Sequence, residues 1–299
     1  MIRNFDDLRK AAIECEQKVI AVAAAADVEV LEAVKESLEL GIADFILIGD
    51  KEKIVEICKD ISLNVEKLTI IDERNDALAS EIAVKEVSNG NAHLLMKGLV
   101  STSVILRAVL NKEYGLRTGK LLSHIAILEA KKYDRLILMT DGGMNISPDL
   151  EQKVKLIENS VEVANKVLNI DMPKVAPLCA VEKVNPSMQA TVDAATLTVM
   201  NQRGQIKNCI IDGPLNLNGA ASKKAAETIG LDSPVAGDAD IYLVPYIEVG
   251  NVMYKSMVYF ADARCAGIIA GARVPIVLTS RADSHDAKVN SIASAVLMA

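Results

Sequence analysis

KVIAVAAAADVEVLEAVKESLELGIADFILIG (residues 18–49) holds two apolar runs separated by a segment of helical period. The runs 18–23 and 44–49 are rich in Val, Ile and Leu, which is typical of strands buried on both faces. Between them, apolar residues recur at helical spacing, at Val30, Leu31, Val34, Leu38 and Leu40. A strand, a helix and a second strand in this order predict a parallel pair with a crossover helix.

The same alternation continues along the chain. Further short apolar runs lie at 68–72, 93–98, 124–130, 135–140, 208–213, 241–246 and 275–280. Segments of helical period lie at 50–60, 76–88, 149–168, 186–201 and 218–229. This order predicts an α/β fold with mostly parallel strands and helices on both faces of the sheet.

Composition limits the class of protein. A chain of 299 residues, with 51% hydrophobic and 24% charged residues, is long enough for one large domain or two ordinary ones. The net charge of −7 disfavours nucleic acid and anionic membranes as partners. No apolar run approaches the ~20 residues of a membrane span, and the charged N-terminus lacks a signal-peptide pattern. We therefore expect a cytoplasmic protein.

Cysteine and histidine usage gives no sign of a metal site. The five cysteines form no CxxC pair, and their odd number fits a reducing compartment with unpaired thiols. The three histidines are far apart, and no HExxH occurs. The chain also lacks the P-loop and the GxGxxG fingerprint, so nucleotide hydrolysis and a standard dinucleotide site have no support. We expect no bound metal.

Six loop motifs in order resemble the phosphate acetyl/butyryltransferase family over nearly the whole chain. They are KGLVSTSVILRAVL (97–110), LLSHIAILE (121–129), TDGGMNISPDLEQK (140–153), IDGPLNLNGA (211–220), SPVAGDADIYLVPYIEVGNVMYK (233–255) and VLTSRADSHDAKVNSIASA (277–295). Each motif is modestly specific, but six in order are a strong signal. The chain length and the SHIAIL and GGMN details look closer to the butyryltransferase branch than to the acetyl-specific enzymes.

The resemblance implies a fold. The family has a two-lobed αβα sandwich like that of isocitrate and isopropylmalate dehydrogenases, with the active site in the cleft between the lobes. It implies a first lobe of residues 1–140 plus 275–299, and a second lobe of residues 141–274. It also implies a homo-oligomer built from dimers.

The resemblance also implies an activity, namely phosphate butyryltransferase: butyryl-CoA and phosphate exchange with butyryl phosphate and CoA by direct attack in a ternary complex. Coenzyme A is then a substrate, and no cofactor is permanently bound. Such a site must activate a thiol, bind phosphate and stabilise an oxyanion.

The segment 280–286 (SRADSHD) carries the predicted catalytic residues. It follows a predicted strand and opens a helix, where free N–H groups favour anions. Arg281 could hold phosphate, and Ser280 could donate to the oxyanion. The family pattern places a catalytic Asp a few residues after Ser280 and Arg281. Both Asp283 and Asp286 could be this residue, and we slightly prefer Asp286. The competing interpretation is that this segment only caps the helix.

Other residues are predicted to contact phosphate or CoA. Most of them are polar, and most lie at or near the ends of predicted strands, where ligands bind in α/β folds. They are Ser101, Thr102, Ser123, His124, Asp141, Asn145, Asp212, Gly213, Asn251 and Lys255. The interpretations that compete with a binding role are helix capping, turn formation and ordinary surface exposure, and for His124 a hydrogen-bonded position in the core. The family more often has Ser-Gly where this chain has Ser123-His124, so His124 is a departure that points to the butyryl branch.

Four alternatives remain open. Phosphate acetyltransferase is one, because sequence cannot rank acyl-chain lengths. A second alternative is a metal- and NAD-dependent decarboxylating dehydrogenase of similar fold. It would need a cluster of carboxylates to bind its metal, for which Asp238 and Asp240 are the candidates. A non-catalytic acyl-CoA sensor would bind substrate without turnover, and an interaction scaffold would bind no small ligand.

Overall fold

A computed structural model describes residues 1–280 and 283–299 of this chain. Its contacts divide it into two compact units. The terminal unit contains Phe5–Lys120 and Cys265–Ala299, and the central unit contains Met1–Asn4 and Leu121–Arg264. The chain therefore enters the terminal unit, leaves it for the central unit and returns.

The strands and helices alternate as the sequence predicts. The strands are β1 (Lys18–Ala23), β2 (Ala43–Gly49), β3 (Thr69–Asp72), β4 (Leu94–Lys97), β5 (Ser123–Glu129), β6 (Ile137–Thr140), β7 (Lys174–Pro177), β8 (Ile210–Ile211), β9 (Ile241–Leu243), β10 (Arg264–Ala270) and β11 (Ile276–Val277). The helices are α1 (Phe5–Ile13), α2 (Val28–Glu39), α3 (Lys51–Asp60), α4 (Asp76–Ser88), α5 (Thr102–Val109), α6 (Leu150–Leu168), α7 (Gln189–Gln202), α8 (Leu217–Ala221), α9 (Lys223–Thr228), α10 (Ile247–Ala261) and α11 (His285–Met298).

The sheet of the terminal unit has the strand order β3-β2-β1-β4-β11-β10. The strands from β3 to β11 are parallel, whereas β10 is antiparallel to β11. Ile20 of β1 faces Phe45 on one neighbouring strand and Leu94 on the other, and all three are buried. The predicted apolar runs therefore form a sheet covered on both faces.

The helices of this unit begin at polar caps. Asp27, Asp50, Asn75, Ser101 and Ser284 each accept a hydrogen bond from a backbone N–H in the first turn of the following helix. Such caps satisfy N–H groups that have no partner inside the helix. Helix α11 packs against α1, α2 and β11 and is buried along almost its whole length.

The central unit carries the strand order β5-β6-β9-β7-β8, parallel except for the antiparallel pair β5 and β6. Its longest helix, α6, starts with a capping box in which Asp149 and Gln152 exchange hydrogen bonds. The prediction of an α/β protein with mostly parallel strands is confirmed. Helix α10, by contrast, is apolar and yet has only Gly250 buried.

Several elements differ from the sequence prediction. The prediction missed β7, which is short, and α1, whose apolar residues are interrupted by charged ones. It also missed β10, in which small residues (Cys, Ala and Gly) outnumber the two Ile residues. The predicted helix 218–229 is two short helices, α8 and α9, separated at Ser222, which caps the second. Within residues 1–280 and 283–299, no helix is long and apolar enough to cross a membrane.

Candidate active site

A pocket lies in the terminal unit where β1, β4 and β11 end. These strands are parallel neighbours, so their carboxyl ends meet at one edge of the sheet, the usual place for a ligand in such folds. The pocket encloses about 280 Å³ of empty space, including the part open to solvent. It is lined by Asp27, Val30, Lys97, Gly98, Leu99, Thr279, Ser280 and Lys288.

Gly98 forms the floor of this pocket by lying against the end of β1. The N–H of Gly98 donates to the carbonyl O of Ala23 (2.8 Å), and the N–H of Leu99 donates to that of Ala24 (2.8 Å). A Cβ at Gly98 would stand 2.3 Å from the carbonyl O of Ala24, closer than atoms can approach. The turn after β4 therefore requires glycine for space.

Ser101 and Thr102 begin the helix that follows this turn. Ser101 caps α5, with Oγ accepting from the N–H of Val104 at 3.4 Å and lying 3.1 Å from Ser103 Oγ. The observed contact of Ser101 is therefore that of a helix cap, which is the interpretation that competes with ligand binding. Its side chain is exposed, two residues beyond Leu99 of the pocket.

The predicted catalytic segment enters the pocket at Ser280. The backbone N–H of Ser280 donates to Asp283 Oδ2 (2.7 Å), and the N–H of Asp283 donates to the carbonyl O of Ser280 (3.2 Å). Ser284 then caps α11 through the N–H of Ala287. Arg281, predicted to hold phosphate, lies outside the described residues.

Asp286 lies in the first turn of α11 and contacts the neighbouring helix α1. Its Oδ1 accepts from Arg9 Nη2 (2.6 Å), and its Oδ2 accepts from Asn290 Nδ2 (3.1 Å). Arg9 also pairs with Glu36 on α2 at 2.9 Å. Asp286 thus joins α1, α2 and α11 and is not among the residues that line the pocket.

A second group of predicted residues gathers in the central unit around Asp141, which is buried. Its Oδ1 accepts from the N–H groups of Gly143 (2.8 Å) and Met144 (2.9 Å). Its Oδ2 accepts from the N–H of His124 (3.0 Å) and from Asn145 Nδ2 (2.6 Å). The structure therefore brings His124, Asp141 and Asn145 together, with the carboxylate holding loop 141–145 against β5.

Asn251 contacts the same loop from α10. Its Nδ2 lies 3.4 Å from the carbonyl O of Gly142, and Gly250 packs so closely that a Cβ there would stand 2.7 Å from Gly142 Cα. Lys255 is exposed one turn further along α10. Asn251 and Lys255 therefore lie on the same helix, four residues apart.

The remaining predicted residues have local contacts in the central unit. Ser123 is buried, and its Oγ accepts from Asn159 Nδ2 at 2.8 Å. The carbonyl O of Gly213 accepts from Thr198 Oγ1 at 3.3 Å, and the N–H of Asp212 lies 3.4 Å from the carbonyl O of Val175. Ser123 and the turn at 212–213 therefore have a structural role, because they bond to neighbouring parts of the central unit.

Asp238 and Asp240, the carboxylates that a dehydrogenase would use for its metal, are paired with cations. Asp238 lies 2.7 Å from Arg135 Nη2 and 2.6 Å from Lys174 Nζ, and Asp240 lies 3.5 Å from Arg135 Nη1. Burial opposes ionisation of Asp238, but hydrogen bonds from Lys174 and Arg135 outweigh it and lower its pKa. Burial raises the pKa of Asp240. The cations that neutralise this pair argue against the dehydrogenase alternative.

Asp238→Asn is expected to cost about 1–2 kcal/mol of unfolding free energy at pH 7, because two charge-assisted hydrogen bonds are lost. Since the folded-state pKa is lowered, this contribution is complete above the unfolded pKa of about 4 and disappears as the pH falls through the folded pKa. Urea unfolding from pH 7 to pH 3 should show the two proteins converging at acid pH. Asp232→Asn, at an exposed position, is the control, and a gap that is constant with pH would contradict the ion-pair account.

The thiols of Cys58, Cys179 and Cys209 do not supply a nucleophile. Burial raises the pKa of Cys179 and of Cys209 to about 11, and it also raises that of Cys58. A thiol with such a pKa stays protonated near neutral pH, where only the thiolate is reactive. These three cysteines therefore act as small apolar residues.

Lys97 and Lys288 are pocket residues that the sequence analysis did not propose as site residues. Both are nearly inaccessible and line the pocket beside Ser280. A lysine inside a predicted apolar helix, as at 288, is the only sequence signal that could have singled one of them out, because it departs from the surrounding pattern.

The fold and this pocket define an α/β protein with a polar, cationic site at the carboxyl ends of its parallel strands. The family described as phosphate acetyl/butaryl transferase matches the chain over residues 5–85 and 76–296. This chain belongs to that family, and the resemblance inferred from the six motifs is confirmed.

Individual relatives agree with this assignment. The chain is 50% identical to a phosphate butyryltransferase of Clostridium acetobutylicum, over 100% of this chain and 99% of the relative. It is 44% identical to a phosphate acetyltransferase of Thermotoga maritima, over 94% of this chain and 95% of the relative. The crystal structure of a branched-chain phosphotransacylase from Enterococcus faecalis superposes with a TM-score of 0.84 at 33% identity, covering 94% of this chain and 99% of that one.

Proposed function

We propose that this protein is a phosphate butyryltransferase, which exchanges butyryl-CoA and phosphate with butyryl phosphate and CoA. The observation that carries the proposal is 50% identity over the full chain to a phosphate butyryltransferase. The polar pocket at the strand ends supports it, because a phosphate substrate needs such an environment.

The proposed chemistry uses Ser280, Arg281 and a nearby carboxylate, in the roles that the family resemblance implies. In the direction of thioester formation, the CoA thiolate attacks the carbonyl carbon of butyryl phosphate, the C–O bond to phosphate breaks and phosphate leaves. Ser280 donates a hydrogen bond to the oxyanion that forms on the carbonyl oxygen. Arg281 holds the phosphate, and a carboxylate accepts the thiol proton. Coenzyme A is a substrate here, and no permanently bound group takes part.

For the base we propose Asp283 in preference to Asp286. Asp286 is occupied by Arg9 at 2.6 Å and by Asn290 at 3.1 Å, so both of its carboxylate oxygens already accept hydrogen bonds. Asp283 exchanges backbone and side-chain hydrogen bonds with Ser280 itself, so its carboxylate lies beside the oxyanion donor. Our proposal of Asp283 therefore differs from the slight preference for Asp286 that was based on the family pattern.

Roles for the other predicted binding residues stay proposals. Ser101 and Thr102 follow Leu99 of the pocket closely in the chain, at the start of α5, and are proposed to contact phosphate or CoA. His124, Asn145, Asn251 and Lys255 are proposed to contact CoA around loop 141–145, which Asp141 orders. Ser123, Asp212 and Gly213 are proposed to support these positions.

Finer features of the fold and the assembly are also proposals. We propose that the terminal and central units are the two lobes of an isocitrate dehydrogenase-like fold. The sequence predicts these lobes as residues 1–140 with 275–299 and as residues 141–274.

We propose a cytoplasmic homo-oligomer. Helix α10 supports the oligomer, because this largely apolar helix leaves large hydrophobic side chains exposed to solvent. The exposed fractions are 63% for Val252, 68% for Tyr259 and 90% for Phe260. Sedimentation velocity would measure its size.

The experiment that tests the function mixes the purified protein with butyryl-CoA and phosphate and follows release of free thiol. Release should require phosphate or its analogue arsenate and should be faster with butyryl-CoA than with acetyl-CoA. Equal or faster release with acetyl-CoA would favour the acetyltransferase alternative. Absence of phosphate-dependent release with every acyl chain would contradict the proposal and leave the acyl-CoA sensor.

A further inference from the structure

Arg9 of α1 makes a group of contacts with the start of α11. Its Nη2 donates to Asp286 Oδ1 (2.6 Å) and to the carbonyl O of Asp286 (3.2 Å), and its Nε donates to Asn290 Oδ1 (2.8 Å). Its Nη1 donates to Glu36 Oε1 of α2 at 2.9 Å. One side chain, which is only 14% exposed, therefore joins three helices.

The partners of Arg9 on α11 are also fixed to each other and to the sheet. Asn290 is fully buried, and its Nδ2 donates to Asp286 Oδ2 (3.1 Å) and to the carbonyl O of Cys265 in β10 (3.3 Å). Both oxygens of the Asp286 carboxylate thus accept hydrogen bonds. The start of α11 is therefore held from two directions, by α1 and by the sheet of the terminal unit.

These contacts lie at the end of α11 that adjoins the predicted catalytic segment. Ser284 caps α11 through the N–H of Ala287, and Lys288 Nζ donates to the carbonyl O of Asp283 at 2.5 Å. Asp283 in turn exchanges hydrogen bonds with the backbone of Ser280. The place of Ser280, the proposed oxyanion donor, therefore depends on where α11 begins.

Orientation explains the contacts of Arg9 better than stability does. The carboxylates that pair with it are partly exposed, Asp286 at 37% and Glu36 at 31%, and ion pairs open to water contribute little to stability. A guanidinium group, by contrast, is planar and presents its N–H donors in a fixed fork, so it sets the relative orientation of the groups that it joins. A pair needed only for stability could lie anywhere along the 14 residues of α11.

We infer that Arg9 is a positioning residue for acyl transfer, which holds the start of α11 through Asp286 and Asn290 so that Ser280 meets the reacting carbonyl. The inference rests on the proposed function and deepens it. Asp286 is then the anchor of Arg9, in place of the catalytic base that the family pattern suggested. Displacing a reacting group by about 1 Å can cost about 100-fold in rate, so a positioning residue need not touch substrate.

The first test replaces Arg9 with Met, which keeps an unbranched apolar stem and removes the guanidinium group. Arg9→Met is expected to lower kcat for thiol release about 10–100-fold. KM for butyryl-CoA should change less than about threefold, because most of the proposed CoA contacts lie around loop 141–145. Arg9→Lys keeps the charge but has no fork, so it should recover only part of the loss.

Arg74→Met is the matched control for Arg9→Met. Arg74 and Glu52 form an exposed ion pair of the same unit at 2.7 Å, so this variant should change kcat less than about twofold. A rise in KM for butyryl-CoA with kcat unchanged in Arg9→Met would contradict the inference, because it would show a lost binding contact and not a displaced donor.

A double-variant cycle tests whether Asp286 acts through Arg9. Asp286→Ala and the double variant Arg9→Met/Asp286→Ala should each lower kcat about as much as Arg9→Met, because loss of either partner breaks the same contact. The pH profile of kcat should keep its shape in all three variants. If the two losses multiply, or if Asp286→Ala abolishes the limb of the profile that reports the base, Asp286 acts in catalysis itself and the inference is wrong.

Hydrogen exchange followed by mass spectrometry separates this inference from the proposed function, because it needs no turnover. In Arg9→Met, exchange of the backbone amides of residues 283–290 should be about tenfold faster, whereas that of α4 in the same unit should not change. An equal rise in both would mean a general loss of stability and would overturn the inference. If the local rise occurs but the unmodified protein transfers no acyl group, Arg9 positions the start of α11 and the proposed function fails. If acyl transfer occurs and Arg9→Met retains kcat, the function stands and Arg9 has no positioning role.

Discussion

Lys153→Met is expected to destabilise the protein by about 3–5 kcal/mol, because it leaves a buried carboxylate without its cation. Lys153 lies on α6 and Asp193 on α7, with Nζ 2.5 Å from Oδ2 and side chains only 4% and 11% exposed. Gln189 Nε2 donates to the other carboxylate oxygen at 2.8 Å. Methionine preserves the volume of the lysine stem, so the loss is mainly electrostatic.

Urea unfolding at pH 7 measures this loss. Lys166→Met is the control, because Lys166 and Glu162 form an exposed pair on the same helix at 3.2 Å, for which about 0.5 kcal/mol or less is expected. The double variant Lys153→Met/Asp193→Leu removes both charges and should recover much of the stability. If Lys153→Met and Lys166→Met cost the same, the buried pair does not hold α6 and α7 together.

Ser280→Ala is expected to lower kcat about 10²–10³-fold, which is the usual effect of removing one oxyanion donor. The hydroxyl stabilises charge that develops only in the transition state, so KM for butyryl-CoA and for phosphate should change little. The hydrogen bonds between Ser280 and Asp283 use the backbone of Ser280, so alanine leaves them intact. The loop is therefore expected to keep its shape.

Steady-state kinetics of thiol release, with each substrate varied, tests this expectation. Ser187→Ala, an exposed serine in the central unit, is the control and should change kcat less than about twofold. A rise in KM for phosphate with kcat unchanged would make Ser280 a ground-state contact. Unaltered kinetics would remove Ser280 from the mechanism.

Local sequence patterns were sufficient for part of the site. Ser280 lies in the strand-end pocket because a polar residue that follows a parallel strand emerges at that edge of the sheet. Asp141 and Asn145 meet because they share one short loop. Asp286 could not be judged in this way, because its partner Arg9 is 277 residues away in the chain and belongs to another helix.

The sequence by itself determined the alternation of strands and helices, the mostly parallel sheet and membership of the phosphate acetyl/butaryl transferase family. These depend on apolar periodicity and on contiguous motifs, which are properties of neighbouring residues. Only the tertiary structure decided that Lys97 and Lys288 line one pocket and that Asp238 is neutralised by Arg135 and Lys174. Burial and charge pairing depend on which distant segments meet, and parallel strands gather their carboxyl ends whatever their separation along the chain.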